Sequence, residues 1–295
     1  MDPKIRKIQE DFRRLRLHAR CLTDMEDTRK ALVNRLGANI SVDLDEPINR
    51  KSVEFQQFLY SNLELDPRFL ALETDEDRKA FLKAERPQTL YGLVKTAEKT
   101  AEQTLVNTMR SINGPHMTEF VDSPGMGDKT IARILGEVGH PVIAFPMEWE
   151  ENDEAVKDSK KIADRKRVLV PAESGPYERM VSQLWSYCGH GNPERRHKEG
   201  MSQEDALACG SVNAKKMVHY LATLQVRMTG EPDKNGVSKA RSLYRDDYEE
   251  IKAHYIEKRP EWTPGHQQNA TLRKVGKIIL KDMWVAARED LLIDA

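Results

Sequence analysis

The stretch "VDSPGMGDKTIARILGEVG", residues 121 to 139, constrains the fold more than any other part of the chain. A Pro-Gly-x-Gly turn runs into an apolar pattern that sets Ile131, Leu135 and Val138 on one side, with Ala132 small enough for a close helix crossing. Pro115 to Val121 reads as a short helix. The spacing predicts a helix-hairpin-helix: a first helix over Pro115 to Val121, a turn at Pro124-Gly125-Met126-Gly127, and a second helix from Asp128 to Val138.

A helix leaving such a turn has uncovered N–H groups at its start, and those donors suit a phosphate. Gly125 and Gly127 permit positive φ and a backbone close to a ligand. Lys129 and Arg133, four apart, share a helix face. The candidate phosphate-binding set is therefore Gly125, Met126, Gly127, Lys129, Thr130 and Arg133. Asp128 works against it, being an acid at the anion end. A turn with a purely structural role is the competing reading.

The remaining sequence points to a mainly α protein. The 295 residues, 39% of them hydrophobic, suffice for one sizeable core or two modest ones. Charged residues reach 32% and aromatic ones only 6%, and strand-type runs are scarce. Lys and Arg number 47 against 48 Asp and Glu, so a field that attracts nucleic acid must be local. Three widely spaced cysteines, Cys21, Cys188 and Cys209, imply no disulfide framework and favour a reducing compartment, the cytoplasm. No apolar run approaches the roughly 18 residues of a membrane span, and the start lacks the apolar core of a secretion signal.

Residues 1 to 112 read as a helical arm. Ile5, Ile8, Phe12, Leu15, Ala19 and Leu22, then Val33 and Leu36, form a heptad seam that Glu26 and Arg29 interrupt. Its partner is either the chain's own second arm, Leu90 to Ile112, or a second copy of the chain in a homodimeric coiled coil. The second arm carries Leu90, Val94, Ala97, Ala101, Leu105, Thr108 and Ile112 on one stripe. Between the arms, Thr74 and Asp77 resemble a helix-start box, and that helix must end near Arg86-Pro87.

Residues 113 to 295 form the hairpin domain, with an exposed insertion at about 146 to 176 that includes a strand-like run from Val168 to Val170. Helical stretches follow around 177 to 188, 203 to 228 and 241 to 257, and Thr263-Pro264 opens a last helix. In that helix Arg273, Lys277, Lys281 and Arg288 form a basic stripe opposite Leu272, Val275, Ile279, Met283 and Ala286. "ERRHKEG", with Arg195, Arg196 and Lys198, is a compact basic loop. Arg273, Lys277, Lys281 and the three loop cations join the candidate nucleic-acid set. Cys188, His190, His197 and Cys209 are zinc-type residues, but their spacing fits no common finger, so a buried thiol and surface imidazoles are expected. No metal or other cofactor is called for.

In this order the segments resemble the C-terminal portion of the DEDD-type insertion-sequence transposases guided by a bridge RNA, the family that includes the Piv-type DNA invertases. The family's Arg-rich coiled-coil arm with an Asn-Arg-Leu near its end is similar to "LRLHARCLTDMEDTRKALVNRL", and its Pro-Gly-x-Gly-x-x-x-Ala with a following Glu-x-Gly is similar to "SPGMGDKTIARILGEVG". "LWSYCGHGNP", "ERRHKEGMSQ", "ACGSVNAKKMVHYLA" and "NATLRKVGKIILKDMWVAA" follow in the family's order. The resemblance implies a transposase-related protein that binds DNA or structured RNA. Two departures bear on catalysis. The family's ribonuclease-H-like domain with its acidic metal ligands has no counterpart here, and the family's nucleophilic serine falls at about His197 or Lys198, leaving Ser202 as the nearest substitute. A recombinase acting through Ser202 or with a separate acidic subunit, and a dimeric interaction protein, are the alternatives.

Overall fold

A computed structural model of the chain describes residues 2–43, 68, 71–84, 90–151, 167–191, 200–202, 205, 209–232 and 240–293. It is mainly helical, as the periodicity predicts. The chain divides into two units, one of residues 17 to 107 and the other of residues 1 to 16 together with 108 to 295. The division differs from a simple arm followed by a domain, because the first turns of the long initial helix belong with the hairpin unit.

Helix α1, Pro3–Asp43, starts at Asp2, whose carboxylate accepts the Lys4 N–H at 2.7 Å. The middle of its seam is buried within the chain, with Leu15 and Leu22 fully enclosed and the Phe12 ring edge-to-face against His140 at 5.3 Å, while Ile5, Ile8, Ala19 and Val33 are only half-buried. In the unit of residues 17 to 107, helix α2 spans Asp75–Ala84, and helix α3, Leu90–Ile112, runs on into the hairpin unit. The Thr74 hydroxyl accepts the Asp77 N–H at 3.1 Å and donates to the Asp77 carboxylate at 2.7 Å, the expected start box of α2. Arg29, which breaks the seam in the sequence, forms an ion pair with Glu98 of α3. The buried residues of α3 are Tyr91, Gly92, Leu105 and Met109, so of the expected stripe only Leu105 is buried, Leu90 and Ala97 are exposed, and the rest are half-buried.

The hairpin unit is built on its last helix. The elements are α4 (Pro115–Asp122), α5 (Asp128–Val138), β1 (Ile143–Ala144), β2 (Met147–Glu151), β3 (Arg167–Pro171), β4 (Tyr177–Glu178), α6 (Val181–Tyr187), α7 (Val212–Arg227), α8 (Arg245–Lys258) and α9 (Pro264–Ile293). Helices α4, α6, α7 and α8 all pack on α9, and α5 packs on α7. Thr263 caps α9 as predicted, its hydroxyl accepting the His266 N–H at 3.2 Å. Leu272, Val275, Ile279, Met283 and Ala286 are buried along it. From its far end, the two carboxylate oxygens of Asp290 accept the His116 and Met117 N–H groups at 2.9 and 3.0 Å, which caps α4 from outside its own segment.

The segment expected to be an insertion is bracketed by β1 and β4, paired antiparallel with Ile143 opposite Glu178 and Ala144 opposite Tyr177. Within it, β2 pairs antiparallel with β3, from Met147 opposite Pro171 to Glu151 opposite Arg167. The strand-like run at Val168 to Val170 therefore has a partner, and this part of the chain is a β-hairpin and not a plain loop.

Gly210 fixes how α6 meets α7. Its φ is +83°, and a Cβ there would lie 2.4 Å from the Ser186 carbonyl oxygen and 2.5 Å from that of Tyr187. The Ser211 N–H then donates to the Tyr187 carbonyl at 2.7 Å. Gly210→Ala combines a left-handed cost of roughly 1–2 kcal/mol with a further overpacking cost of about 1–3 kcal/mol. Gly175→Ala, at φ +68° with open space around it, carries the first cost alone. Chemical denaturation of the two variants checks this; equal losses would show that the α6–α7 approach is slack.

Candidate nucleic-acid interface

The hairpin forms where the sequence places it, with α5 spanning Asp128–Val138 as expected and α4 ending one residue later at Asp122. Its two glycines divide the work. Gly125, at φ +84°, lies against α7: a Cβ there would meet the Met228 sulfur at 2.3 Å and the Gln225 amide nitrogen at 2.8 Å. It is a packing glycine and does not present backbone to a ligand. Gly127, at φ +64°, has open space before it, the nearest atom to a Cβ being Thr130 Oγ1 at 4.0 Å. It is the N-cap of α5 and supplies no side chain, so the start of the helix stays open.

The Thr130 and Ile131 N–H groups both return to the Gly127 carbonyl, at 2.9 and 3.2 Å. Among the described residues, the N–H groups of Gly127 and Asp128 have no acceptor. The Met126 N–H is spent on the Ser123 carbonyl at 3.2 Å and its side chain is fully buried, so Met126 leaves the candidate set and joins the core.

Charge at the turn differs from expectation as well. Lys129 and Thr130 are half-buried beside the open turn. Arg133 is half-buried with its Nε and Nη2 shut off from solvent, so its guanidinium lies against protein and does not project outward. The acid at the anion end is met instead by Arg110 of α3, which donates to both oxygens of Asp128, at 2.7 and 3.2 Å, and to Asp122 at 2.8 Å. Hydrogen bonds to Asp128 and then Asp122 raise the Arg110 pKa. The sequence holds one clue to this partner: two acids, Asp122 and Asp128, flank the turn and call for a cation.

The other end of α5 is clamped. Arg16 donates to the carbonyls of Gly136 and Glu137 at 3.0 Å each, Arg179 to that of Val138 at 3.4 Å, and the Tyr187 hydroxyl to that of Glu137 at 3.0 Å. Cations here favour the negative end of the helix dipole. Burial lowers the Arg179 pKa. The Glu137 carboxylate accepts the Ser211 hydroxyl at 2.6 Å, and that hydroxyl in turn accepts the Ala214 N–H and caps α7. The open start of α5 is thus held rigidly from behind.

The basic stripe of α9 is partly committed to packing. Arg273 donates to the Gly191 carbonyl at 3.1 Å. Lys277 lies over the Trp185 ring at 5.0 Å, and the Trp185 N–H donates to the Lys277 carbonyl. Burial, with Lys274 and Arg273 nearby, lowers the Lys277 pKa. Arg288 pairs with Glu178 at 3.6 Å, while Lys281 is exposed. Arg195, Arg196, Lys198 and His197 lie outside the described residues. Ser202 is exposed, and its hydroxyl donates to the Asp205 carboxylate at 2.7 Å and accepts the Asp205 N–H at 3.0 Å, the geometry of a turn cap.

Among the described residues no cluster of acids, cysteines and histidines suited to a metal ion occurs. Cys188 is buried as expected, which pushes its thiol up to about 12, whereas His190 is not a surface imidazole: it is buried and donates from Nδ1 to the Cys188 carbonyl at 2.7 Å. No helix of the described residues is long and apolar enough to cross a membrane. Compared with known proteins, the chain matches no family, no curated protein and no solved structure.

Two buried histidines make the fold acid-sensitive. Burial lowers His190 to about 4 and His140 to about 3, with Arg273 adding to the first effect and Arg179 to the second. His140 Nδ1 accepts the Val142 and Ile143 N–H groups at 3.1 and 3.0 Å, which protonation of that nitrogen would abolish. Both pKa values are depressed below the unfolded value near 6.5, so the unfolded chain binds more protons and stability falls as pH drops from about 6.5 toward 4. Each histidine contributes a slope of at most about 1.4 kcal/mol per pH unit in that window. Denaturation midpoints between pH 7 and 4.5 check this, and His190→Asn flattens the dependence. A midpoint independent of pH would contradict the burial of both rings.

Proposed function

We propose that this protein binds the phosphodiester backbone of DNA or structured RNA through the start of α5, in a role related to transposition. One observation carries the reading: Gly127 opens the helix start, and its N–H and that of Asp128 have no acceptor among the described residues, on a helix clamped at its other end. Donors held in place at a helix N-terminus suit an anion, and contacts of this type tolerate any sequence.

The transposase relationship draws support from how the resembling segments meet. Residues from "GEVG", "LWSYCGHG" and "ACGS" converge on Glu137, through Tyr187 and Ser211. Self-association through the first helix remains a second reading: of the residues that suggest it, Phe12 and Leu15 are buried within the chain, whereas Ile5 and Ile8 are only half-buried. A cytoplasmic location accords with a nucleic-acid partner and with three free cysteines.

The reading predicts salt-sensitive, sequence-tolerant binding to duplex. Lys129→Ala flattens the log-log salt slope by about one unit, the share of a single phosphate contact. Titrations at several salt concentrations measure it. An unchanged slope, or a wild-type chain with no affinity for duplex DNA or structured RNA, returns the hairpin to a structural turn.

A further inference from the structure

Helix α8 meets α9 through an unusual seam. Residues 245, 248, 252, 255 and 259 follow a three-four spacing that alternates cations with tyrosines, where an aliphatic stripe would ordinarily serve. Arg245 lies over the Tyr248 ring at 5.2 Å and Lys252 at 5.4 Å. The Tyr248 hydroxyl donates to Gln268 of α9 at 2.6 Å and accepts from Lys252. This inner end is buried and its polar groups are satisfied.

The outer end, at the α8–α9 turn, is in solvent. Tyr255 stacks on Trp262 with ring centroids 5.5 Å apart, Trp262 stacks on His266 at 4.1 Å and an interplanar angle of 1°, and Arg259 lies over Trp262 at 5.6 Å. Tyr255 and Trp262 are half-exposed, and Arg259 and His266 are exposed. The stack ends in an imidazole, and beside it Gly265 has nothing within 4 Å of where a Cβ would be. Beyond its contact with the Trp262 ring, Arg259 has a surface pair with Glu261 at 3.7 Å, weak enough to exchange.

We infer that this outer end is a stacking platform for unpaired nucleobases, with Arg259 placed for the strand's phosphate or base edge. A flat ring extends the Tyr255–Trp262–His266 stack at His266, and every base offers such a face. Bases inside a duplex have both faces covered, so the platform selects single-stranded or extruded nucleotides. The inference rests on the proposed nucleic-acid role but uses a surface separate from the hairpin turn.

The test measures binding of the full chain to single strands of about twelve nucleotides: oligo-dT, oligo-rU and an abasic deoxyribose-phosphate strand of equal length, which keeps the charge and removes every base. The two base-bearing strands bind about tenfold or more tighter than the abasic one. His266→Ala and Trp262→Ala, with helix content confirmed by circular dichroism, lower oligo-dT and oligo-rU affinity toward the abasic level. Lys129→Ala weakens all three strands alike, so loss of the hairpin contact and loss of the platform are distinguishable. Equal affinity for abasic and base-bearing strands, or unchanged affinity in folded His266→Ala, overturns the platform while leaving the hairpin reading standing.

Discussion

Helix α9 is the element that the hairpin unit depends on. Because α4, α6, α7 and α8 all pack against it, its buried surface is wider than one stripe and takes in Gln267, Thr271, Gly276, Leu280 and Ala287 beside the apolar row at Leu272, Val275 and Ile279. A helix approached from several sides turns its polar groups into fasteners. Asp290 caps α4, the Lys277 carbonyl takes the Trp185 N–H, and Asp282 accepts the Tyr244 hydroxyl at 3.0 Å. The basic stripe is thereby drawn into structural work, and the first hairpin helix receives its cap from a residue far along the chain.

That arrangement prepares the hairpin for a ligand. Helix α4 is fixed by α9, Gly125 allows the turn to lie against α7, and Arg16, Arg179 and Tyr187 hold the carbonyl end of α5. What is left open is the amide end of α5 at Gly127. Donors whose direction is set by surrounding packing lose little freedom on binding, which favours recognition of a phosphate without large side-chain rearrangement.

Much of this was legible in the residues themselves. The bounds of α5, the start box of α2, the Thr263 cap and the apolar row of α9 are local patterns, set by spacing and by capping groups a few residues away. What escaped notice depends on distant partners. Glu98 reads as an outward acid until Arg29 is placed opposite it, Asp128 reads as a defect of the anion site until Arg110 reaches it, and Arg273 and Lys277 read as free cations until Gly191 and Trp185 are brought beside them. Gly125 and Gly127 look equivalent in sequence; only the proximity of Met228 and Gln225 separates the packing glycine from the open one. The cation–tyrosine seam of α8 has no signal in an apolar periodicity, and its exposed end is defined by the turn that brings Trp262 and His266 onto Tyr255.

The central claim is that backbone amides at the start of α5 hold phosphate. Titrating isotopically labelled protein with a short DNA duplex and following amide resonances tests it most directly. The claim predicts that the Gly127 and Asp128 amide signals move early and together, ahead of those in the clamped far end of α5. Binding that leaves those two amides unmoved would contradict it.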